Sequence, residues 1–181
     1  LTLSNHKSSF LAAAINPSSY ATNYSIGLWS TETGKLIHTF DQSNAQLSSI
    51  TFSTDDEHII VGNDKGYIDL LTVQEKEVID RYVTGHTGEI NILTSTPDSK
   101  YLIASSRDGT LTIWDYENAK LYHRFECPNK QTPGALEITA DGRTIIGACS
   151  ENVVFWDIER KSEEIKKLNL SSASYLKLID S

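Results

Sequence analysis

Short apolar segments separated by polar turns run along the whole chain, and within the segments apolar and polar positions tend to alternate. One unit runs from Tyr101 to Asp115 and consists of an apolar strand, a polar turn at Ser106–Gly109 and an alternating strand. The segment from His58 to Leu71 has the same pattern. Alternation with a period of two is typical of β-strands, and tight polar turns join such strands as antiparallel hairpins. The pattern therefore predicts an all-β chain built from hairpins.

These hairpins recur with a period near 42 residues. The residues that end the third strand of each unit are spaced by 42, 43 and 42 positions, and they are Trp29, Leu71, Trp114 and Trp156. Self-similarity at a fixed period of this length indicates a repeat architecture. We predict four short strands in each repeat. The approximate repeats are 1–42, 43–85, 86–130 and 131–170, and residues 171–181 begin a further one.

The third repeat carries the motifs of a known family. They are Gly85-His86 at its start, Pro97-Asp98 in the first turn, Ser106-Arg107-Asp108-Gly109 in the central turn and Trp114-Asp115 after the third strand. The fourth repeat keeps Trp156-Asp157. The chain resembles the WD-repeat (Trp-Asp repeat) β-propeller family. This resemblance implies a β-propeller of four-stranded antiparallel blades, with about four blades of a seven- or eight-bladed ring in this chain.

His86, Ser106 and Asp108 are the residue types of a hydrolase triad, in which an aspartate orients a histidine that deprotonates a serine. No Gly-x-Ser-x-Gly elbow accompanies Ser106, however. The resemblance implies a structural role instead: His86, Ser106, Asp108 and Trp114 form a buried hydrogen-bond network inside one blade. Ser105 is the alternative serine if the strand register differs by one residue. We therefore expect no catalytic residue here.

The rest of the sequence offers no pattern for a metal ion or a cofactor. His123 and Cys127 are the only histidine and cysteine close in sequence, and four residues along a strand span about 13 Å. The net charge of -8, from 24 acidic and 16 basic residues, disfavours broad attraction to nucleic acid or to an anionic membrane. We expect no cofactor, no metal, no nucleic acid and no membrane among the partners.

The two cysteines, Cys127 and Cys149, are too few for a disulfide framework. We expect two reduced thiols in an intracellular protein, cytoplasmic rather than nuclear. The chain contains no methionine and begins with Leu1, which indicates an excerpt of a longer protein. The parent chain is then expected to supply the remaining blades.

Candidate binding residues lie in the loops at one end of the repeats. Function in repeat scaffolds is concentrated in loops that a rigid framework holds, and the resemblance places the interblade loops and the central turns on one face. A longer connection at 16–25 carries two tyrosines, a residue type enriched at interfaces. The predicted partner-binding residues are Tyr20, Tyr24, Asn63, Asp64, Arg107 and Lys130.

The predicted function is a non-catalytic scaffold that displays its blade loops to a protein or peptide partner. Two alternatives remain open from the sequence. The chain could be the sensor or regulatory region of a larger signalling ATPase, which a phosphate-loop motif elsewhere in the parent chain would reveal. It could also be part of a propeller enzyme of lactonase or quinoprotein type, which would gather acidic or histidine ligands at its central channel.

Overall fold

The structure is a computed structural model that describes residues 1–4, 9–15, 24–42, 45–149, 152–160 and 168–169. Sixteen β-strands and one short 3-10 turn, Pro128–Lys130, make up the secondary structure of these residues. None of the described elements is a helix long and apolar enough to cross a membrane.

The strands form four separate sheets, each of four antiparallel strands in sequence order. We call the sheets blades 1 to 4. Blade 1 contains β1 (Thr2–Leu3), β2 (Phe10–Ile15), β3 (Tyr24–Ser30) and β4 (Leu36–Gln42). Blade 2 contains β5 (Leu47–Phe52), β6 (His58–Asn63), β7 (Tyr67–Thr72) and β8 (Val78–Val83). Blade 3 contains β9 (Ile90–Ser95), β10 (Tyr101–Ser106), β11 (Thr110–Asp115) and β12 (Lys120–Glu126). Blade 4 contains β13 (Pro133–Ile138), β14 (Thr144–Cys149), β15 (Asn152–Asp157) and β16 (Leu168–Asn169).

The predicted fold class, a propeller of four-stranded antiparallel blades, is confirmed by this architecture. Each sheet lies within one repeat of the sequence. The predicted start of a further repeat, 171–181, lies outside the described residues.

The core lies between the blades and explains the apolar central strands. In β6, Ile59 packs with blade 1, whereas the next residue, Ile60, packs with blade 3. In β10, Leu102 packs with blade 2 and Ile103 with blade 4. Successive side chains of a strand point to opposite faces, so a strand buried on both faces is apolar at every position. Full burial of each such side chain contributes roughly 1.5–3 kcal/mol.

The blades expose two ends, which we name by their connections. The loop face carries the central turns and the interblade loops, at 63–66, 84–89, 107–109 and 127–132. The turn face, at the opposite strand ends, carries seven turns. They are 31–35, 53–57, 73–77, 96–100, 115–119, 139–143 and 157–160.

The first turn of blade 3 shows how Asp-rich sequences form the turn face. The Thr96 hydroxyl donates to Asp98 Oδ1 at 2.6 Å, and the same oxygen accepts the Lys100 amide at 3.0 Å. The side-chain hydrogen bond from Thr96 is the main cause that lowers the pKa of Asp98. Blade 4 repeats the arrangement with Thr139 and Asp141 at 2.6 Å. The side chains thus replace backbone partners in the turn.

Cys127 and Cys149 form a disulfide between blades 3 and 4. The expectation of two reduced thiols was therefore wrong. Both residues are buried, and their Cα atoms are 5.9 Å apart. The 3-10 turn after Cys127 reverses the chain into β13, which pairs with the strand that ends at Cys149. This reversal brings two cysteines together across 22 positions of sequence.

Candidate functional site

A chain of buried hydrogen bonds joins the loop before blade 3 to the central turn and the third strand of that blade. His86 Nδ1 lies 3.1 Å from Asp108 Oδ2, and His86 Nε2 lies 2.9 Å from Thr112 Oγ1. Trp114 Nε1 donates to the same Thr112 oxygen at 3.0 Å. The network fixes the loop onto the blade, because His86 in the loop is held both by Asp108 in the central turn and by Thr112 in the third strand.

The donors and acceptors of this network assign its protons. Burial is the main cause that lowers the pKa of His86 from its ordinary 6.5, so the imidazole is neutral at pH 7. The indole N–H of Trp114 can only donate, so Thr112 accepts it and donates its own proton to His86 Nε2. The remaining imidazole proton lies on Nδ1, which is 3.1 Å from Asp108 Oδ2 and 3.0 Å from Thr110 Oγ1. This tautomer satisfies all three side chains.

Asp108 stays ionised in this setting. Burial opposes its ionisation, but the Thr110 hydroxyl and the Thr87 and Thr110 amides donate to it, and together they lower its pKa. The Thr110 hydroxyl lies 2.6 Å from Asp108 Oδ1. A carboxylate held by several donors is the charged partner that a neutral Nδ1–H requires.

The structure brings together His86, Asp108 and Trp114, but Thr112 occupies the position expected for Ser106. The Ser106 hydroxyl donates to the Gly88 carbonyl at 2.9 Å and accepts the Asp108 amide at 3.2 Å. Ser105 is buried, and its hydroxyl has no hydrogen-bond partner among the described residues. Neither serine therefore has the hydrogen bond to His86 that the expected network or a nucleophile activated by that histidine requires.

The residue type two positions before the end of the third strand differs from blade to blade. These positions precede Trp29, Leu71, Trp114 and Trp156. Blade 2 has Asp69, which is 2% exposed and pairs with Arg81 at 2.5 and 2.9 Å. Blade 1 has Gly27, where any side chain would collide with the Trp29 ring. Blade 4 has Val154, and Trp156 Nε1 is buried with no partner in the described part of the chain. Among these four equivalent positions, the threonine of blade 3 alone supplies a hydroxyl.

The predicted partner residue Asn63 shapes a turn and does not face solvent. It is 3% exposed, and its Oδ1 accepts the backbone amides of Lys65 and Tyr67 at 3.0 and 3.1 Å. Such a side chain stabilises a tight turn by replacing a backbone acceptor. Its buried position removes Asn63 from the surface that a partner can contact.

Three other predicted partner residues are exposed on the loop face. The side chain of Arg107 is 66% exposed, and its Nε lies 3.0 Å from Glu89 Oε2. Asp64 accepts the Gln46 amide at 3.1 Å, and Lys130 packs by its backbone against Gly109. Tyr24 is half-buried at the start of β3, and Tyr20 lies outside the described residues. The exposed set is therefore Asp64, Arg107 and Lys130.

Part of the chain matches a protein-family model described as "WD domain, G-beta repeat", at residues 78–115. This match identifies one WD repeat in the chain, at residues 78–115. The matched WD repeat runs from β8 of blade 2 to β11 of blade 3. It contains His86, Asp108, Thr112 and Trp114, so the hydrogen-bond network lies wholly within it.

Several curated WD-repeat relatives align with the chain. It is 29% identical over 92 residues to "Small ribosomal subunit protein RACK1" of Caenorhabditis elegans, covering 50% of this chain and 28% of that protein. It is 36% identical over 90 residues to "Echinoderm microtubule-associated protein-like 4" of Mus musculus, covering 48% of this chain and 9% of that protein. It is 24% identical over 143 residues to "Periodic tryptophan protein 2" of Arabidopsis thaliana, covering 77% of this chain and 15% of that protein. The chain thus spans less than a third of each of these relatives.

Within the described residues, no group of three or more His, Cys, Asp or Glu side chains is placed to hold a metal ion. The loop face instead presents single charged side chains on short, hydrogen-bonded turns. The Arg107 amide donates to the Glu89 carbonyl at 2.9 Å, and the Asp64 amide donates to the Gln46 carbonyl at 2.9 Å. The central turns of blades 2 and 3 are thereby tied to the loops that precede those blades.

Proposed function

We propose that this WD-repeat chain is a non-catalytic scaffold that presents its loop face to a protein or peptide partner. The observation that carries the proposal is the buried His86–Asp108–Thr112–Trp114 network beneath exposed charged residues. A network of this kind holds the loops in one geometry before a partner arrives, which reduces the entropy lost on binding. Arg107, Lys130 and Asp64 are the contact residues of the proposal.

The proposal includes further blades of the same parent chain, in a ring of seven or eight. Support comes from the outer face of blade 1, where an open apolar cleft of about 570 Å³ is lined by Leu11, Ala13 and Trp29. Phe155 of blade 4 is half-buried. Apolar sheet faces in repeat proteins are normally covered by the next repeat.

The proposal places the scaffold inside the cell and in the cytoplasm, with no cofactor. The printed names of two relatives, a ribosomal subunit protein and a microtubule-associated protein, support an intracellular setting. The Cys127–Cys149 disulfide opposes this location, because disulfides persist mainly in oxidising compartments. Cell fractionation tests the location: recovery in the cytosol is expected, and recovery of the protein from the medium overturns this part.

The decisive experiment is affinity capture of the full protein from its own cell extract, followed by mass spectrometry. One bait carries Arg107→Glu and Lys130→Glu on the loop face. The control bait carries Arg143→Glu and Lys76→Glu on the turn face, which is the same charge change; Lys76 and Lys130 also share a positive φ. Both baits must retain the wild-type circular dichroism spectrum.

We expect the loop-face bait to lose a partner that the wild-type and control baits retain. Equal recovery by both variants overturns the assignment to the loop face. Absence of any specific protein from all three captures overturns the scaffold proposal, and a metabolite-binding screen then replaces it.

A further inference from the structure

The negative charge of the chain is concentrated on the turn face. Its seven turns together hold twelve acidic and five basic residues, a net charge of -7, whereas the whole chain has a net charge of -8. Such an asymmetric distribution produces a local field that attracts cations and basic segments. Charge alone does not define a site, so the shape of this face decides where a partner can bind.

Two open clefts meet on the turn face of blade 2. One, of about 450 Å³, lies between blades 1 and 2; Phe10 and the buried Val73 form its apolar wall, and Glu57 and Glu75 are exposed at its rim. The other, of about 340 Å³, lies between blades 2 and 3. His58 lines both clefts, and its ring lies 5.5 Å from that of Tyr116. We call the combined feature the acidic groove, formed by Phe10, Glu57, His58, Val73, Glu75 and Tyr116.

The second cleft has the same combination of apolar walls and an acidic rim. Leu70, Tyr82 and Ile79 line it, and Glu117 stands at its edge. Ile79 is 49% exposed, although it is a large apolar side chain. The groove therefore offers aromatic and aliphatic surface directly beside carboxylates in both of its halves.

Glu57, Glu75 and Glu117 form no salt bridge within the described part of the chain. The ion pairs there involve Asp69, Asp108, Glu89 and Asp157 instead of Glu57, Glu75 or Glu117. His58 Nδ1 is buried and has no hydrogen-bond partner among the described residues.

These features specify the chemistry of an occupant. The aliphatic part of a lysine or arginine side chain can lie on the apolar wall while its charged group stays at the rim. A guanidinium can pair with carboxylates through two parallel hydrogen bonds and can stack on aromatic rings. An ammonium makes neither the paired nor the stacked contact as well, so the groove favours arginine over lysine.

We propose that the acidic groove binds an arginine-rich segment of a protein partner. This second surface lies at the opposite strand ends from the loop face, so it goes beyond the scaffold function and does not depend on it. Arginine side chains lie against Phe10 and Tyr116, and their guanidinium groups pair with Glu57 and Glu75.

The test is fluorescence anisotropy of a labelled hexa-arginine peptide titrated with the full protein at low salt. Hexa-lysine and hexa-glutamate peptides are the comparison probes. One variant carries Glu57→Lys and Glu75→Lys; the control carries Glu126→Lys and Glu159→Lys, two exposed glutamates outside the groove with the same charge change. A third variant, Glu57→Gln with Glu75→Gln, retains side-chain shape.

We expect the groove reversal to weaken hexa-arginine binding about tenfold or more and the control reversal about twofold, since exposed charge pairs are individually weak. The glutamine pair should weaken binding about threefold. Equal losses of hexa-arginine affinity in the groove and control variants would overturn the assignment to the groove. Such a result would show that the peptide is attracted by the overall negative charge of the protein. A dissociation constant above about 1 mM for the wild-type protein overturns the proposal, and equal affinity for hexa-lysine overturns the preference for arginine.

The same peptide assay separates this proposal from the scaffold function. The loop-face variant with Arg107→Glu and Lys130→Glu retains the acidic groove, so it should bind hexa-arginine at least as well as the wild-type protein. A loss of peptide binding in that variant places the peptide on the loop face and overturns the assignment to the groove.

Discussion

Thr112 is the residue on which the hydrogen-bond network of blade 3 depends. Its hydroxyl accepts the proton of Trp114 Nε1 and donates to His86 Nε2, and the residue is completely buried. Thr112→Val keeps the shape of the side chain but leaves two buried polar groups without their partner. Each of the two buried unsatisfied groups costs roughly 1–3 kcal/mol, so we expect the free energy of unfolding to fall by about 2–6 kcal/mol.

Blade 4 supplies the reverse substitution at the equivalent position. Val154 is fully buried two residues before Trp156, whose Nε1 has no partner in the described part of the structure. Val154→Thr places a hydroxyl where Thr112 has one in blade 3. A hydrogen bond contributes about 0.5–1.5 kcal/mol net, and burial of the new hydroxyl offsets part of it. We therefore expect a gain of roughly 0.5–1 kcal/mol.

Urea unfolding of the full protein, followed by tryptophan fluorescence, measures both substitutions, because neither removes a tryptophan. A loss below about 0.5 kcal/mol for Thr112→Val would refute the assigned proton network. A loss of more than about 1 kcal/mol for Val154→Thr would refute the structural equivalence of the two positions.

Three further predictions concern the backbone, the pH and the disulfide. Gly109→Ala puts its Cβ 2.5 Å from the Lys130 carbonyl at a φ of +82°, whereas Gly34→Ala, at +67°, meets nothing within 4 Å. Backbone strain should lower the free energy of unfolding of both variants by about 1–2 kcal/mol. Gly109→Ala should lose more than that, because its Cβ also collides with Lys130, and equal urea midpoints for the two variants would contradict this. The pKa of His86 is lowered when folded, so the unfolded chain binds the proton first, and stability should fall as the pH drops below 6.5. Urea midpoints at about pH 7.5 and 5.5 should differ less in His86→Gln, and an unchanged difference counts against the assignment. Replacing Cys127 and Cys149 by serine should lower stability by about 3 kcal/mol in non-reducing buffer, because the bond closes a 22-residue interval; no loss there would contradict a formed disulfide.

The sequence predicts the fold well because its signal is repeated. Each of Trp29, Leu71, Trp114 and Trp156 ends a similar pair of apolar strands, so the common period outweighs any ambiguous segment. The continuous burial of β6 and β10 also follows directly from packing on both faces of each sheet. These properties depend on local pattern and spacing, which a single sequence contains.

The hydrogen-bond network is less predictable, because it depends on which face of its strand each side chain points to. The pairing of β10 with β9 shifts register between Ser105 and Ser106, and this irregularity changes the direction of the strand where the network serine was expected. Thr112 was detectable only as a residue two positions before Trp114, on the same face of its strand. The burial of Asn63 and the pairing of the cysteines depend on contacts between segments distant in sequence.

The matched repeat, 78–115, and the sheet of blade 3, which runs from Ile90 to Glu126, are out of step by one strand. A gene duplication that copies the repeat therefore carries the outer strand of one sheet together with three strands of the next. Each new copy completes the sheet before it and leaves its own sheet to be completed by the copy after it. The number of repeats can then change in evolution without leaving a sheet short of a strand inside the array. Breaks in the gene at residues 84–89 would instead separate whole sheets, and the joined ends would lack this interlocking.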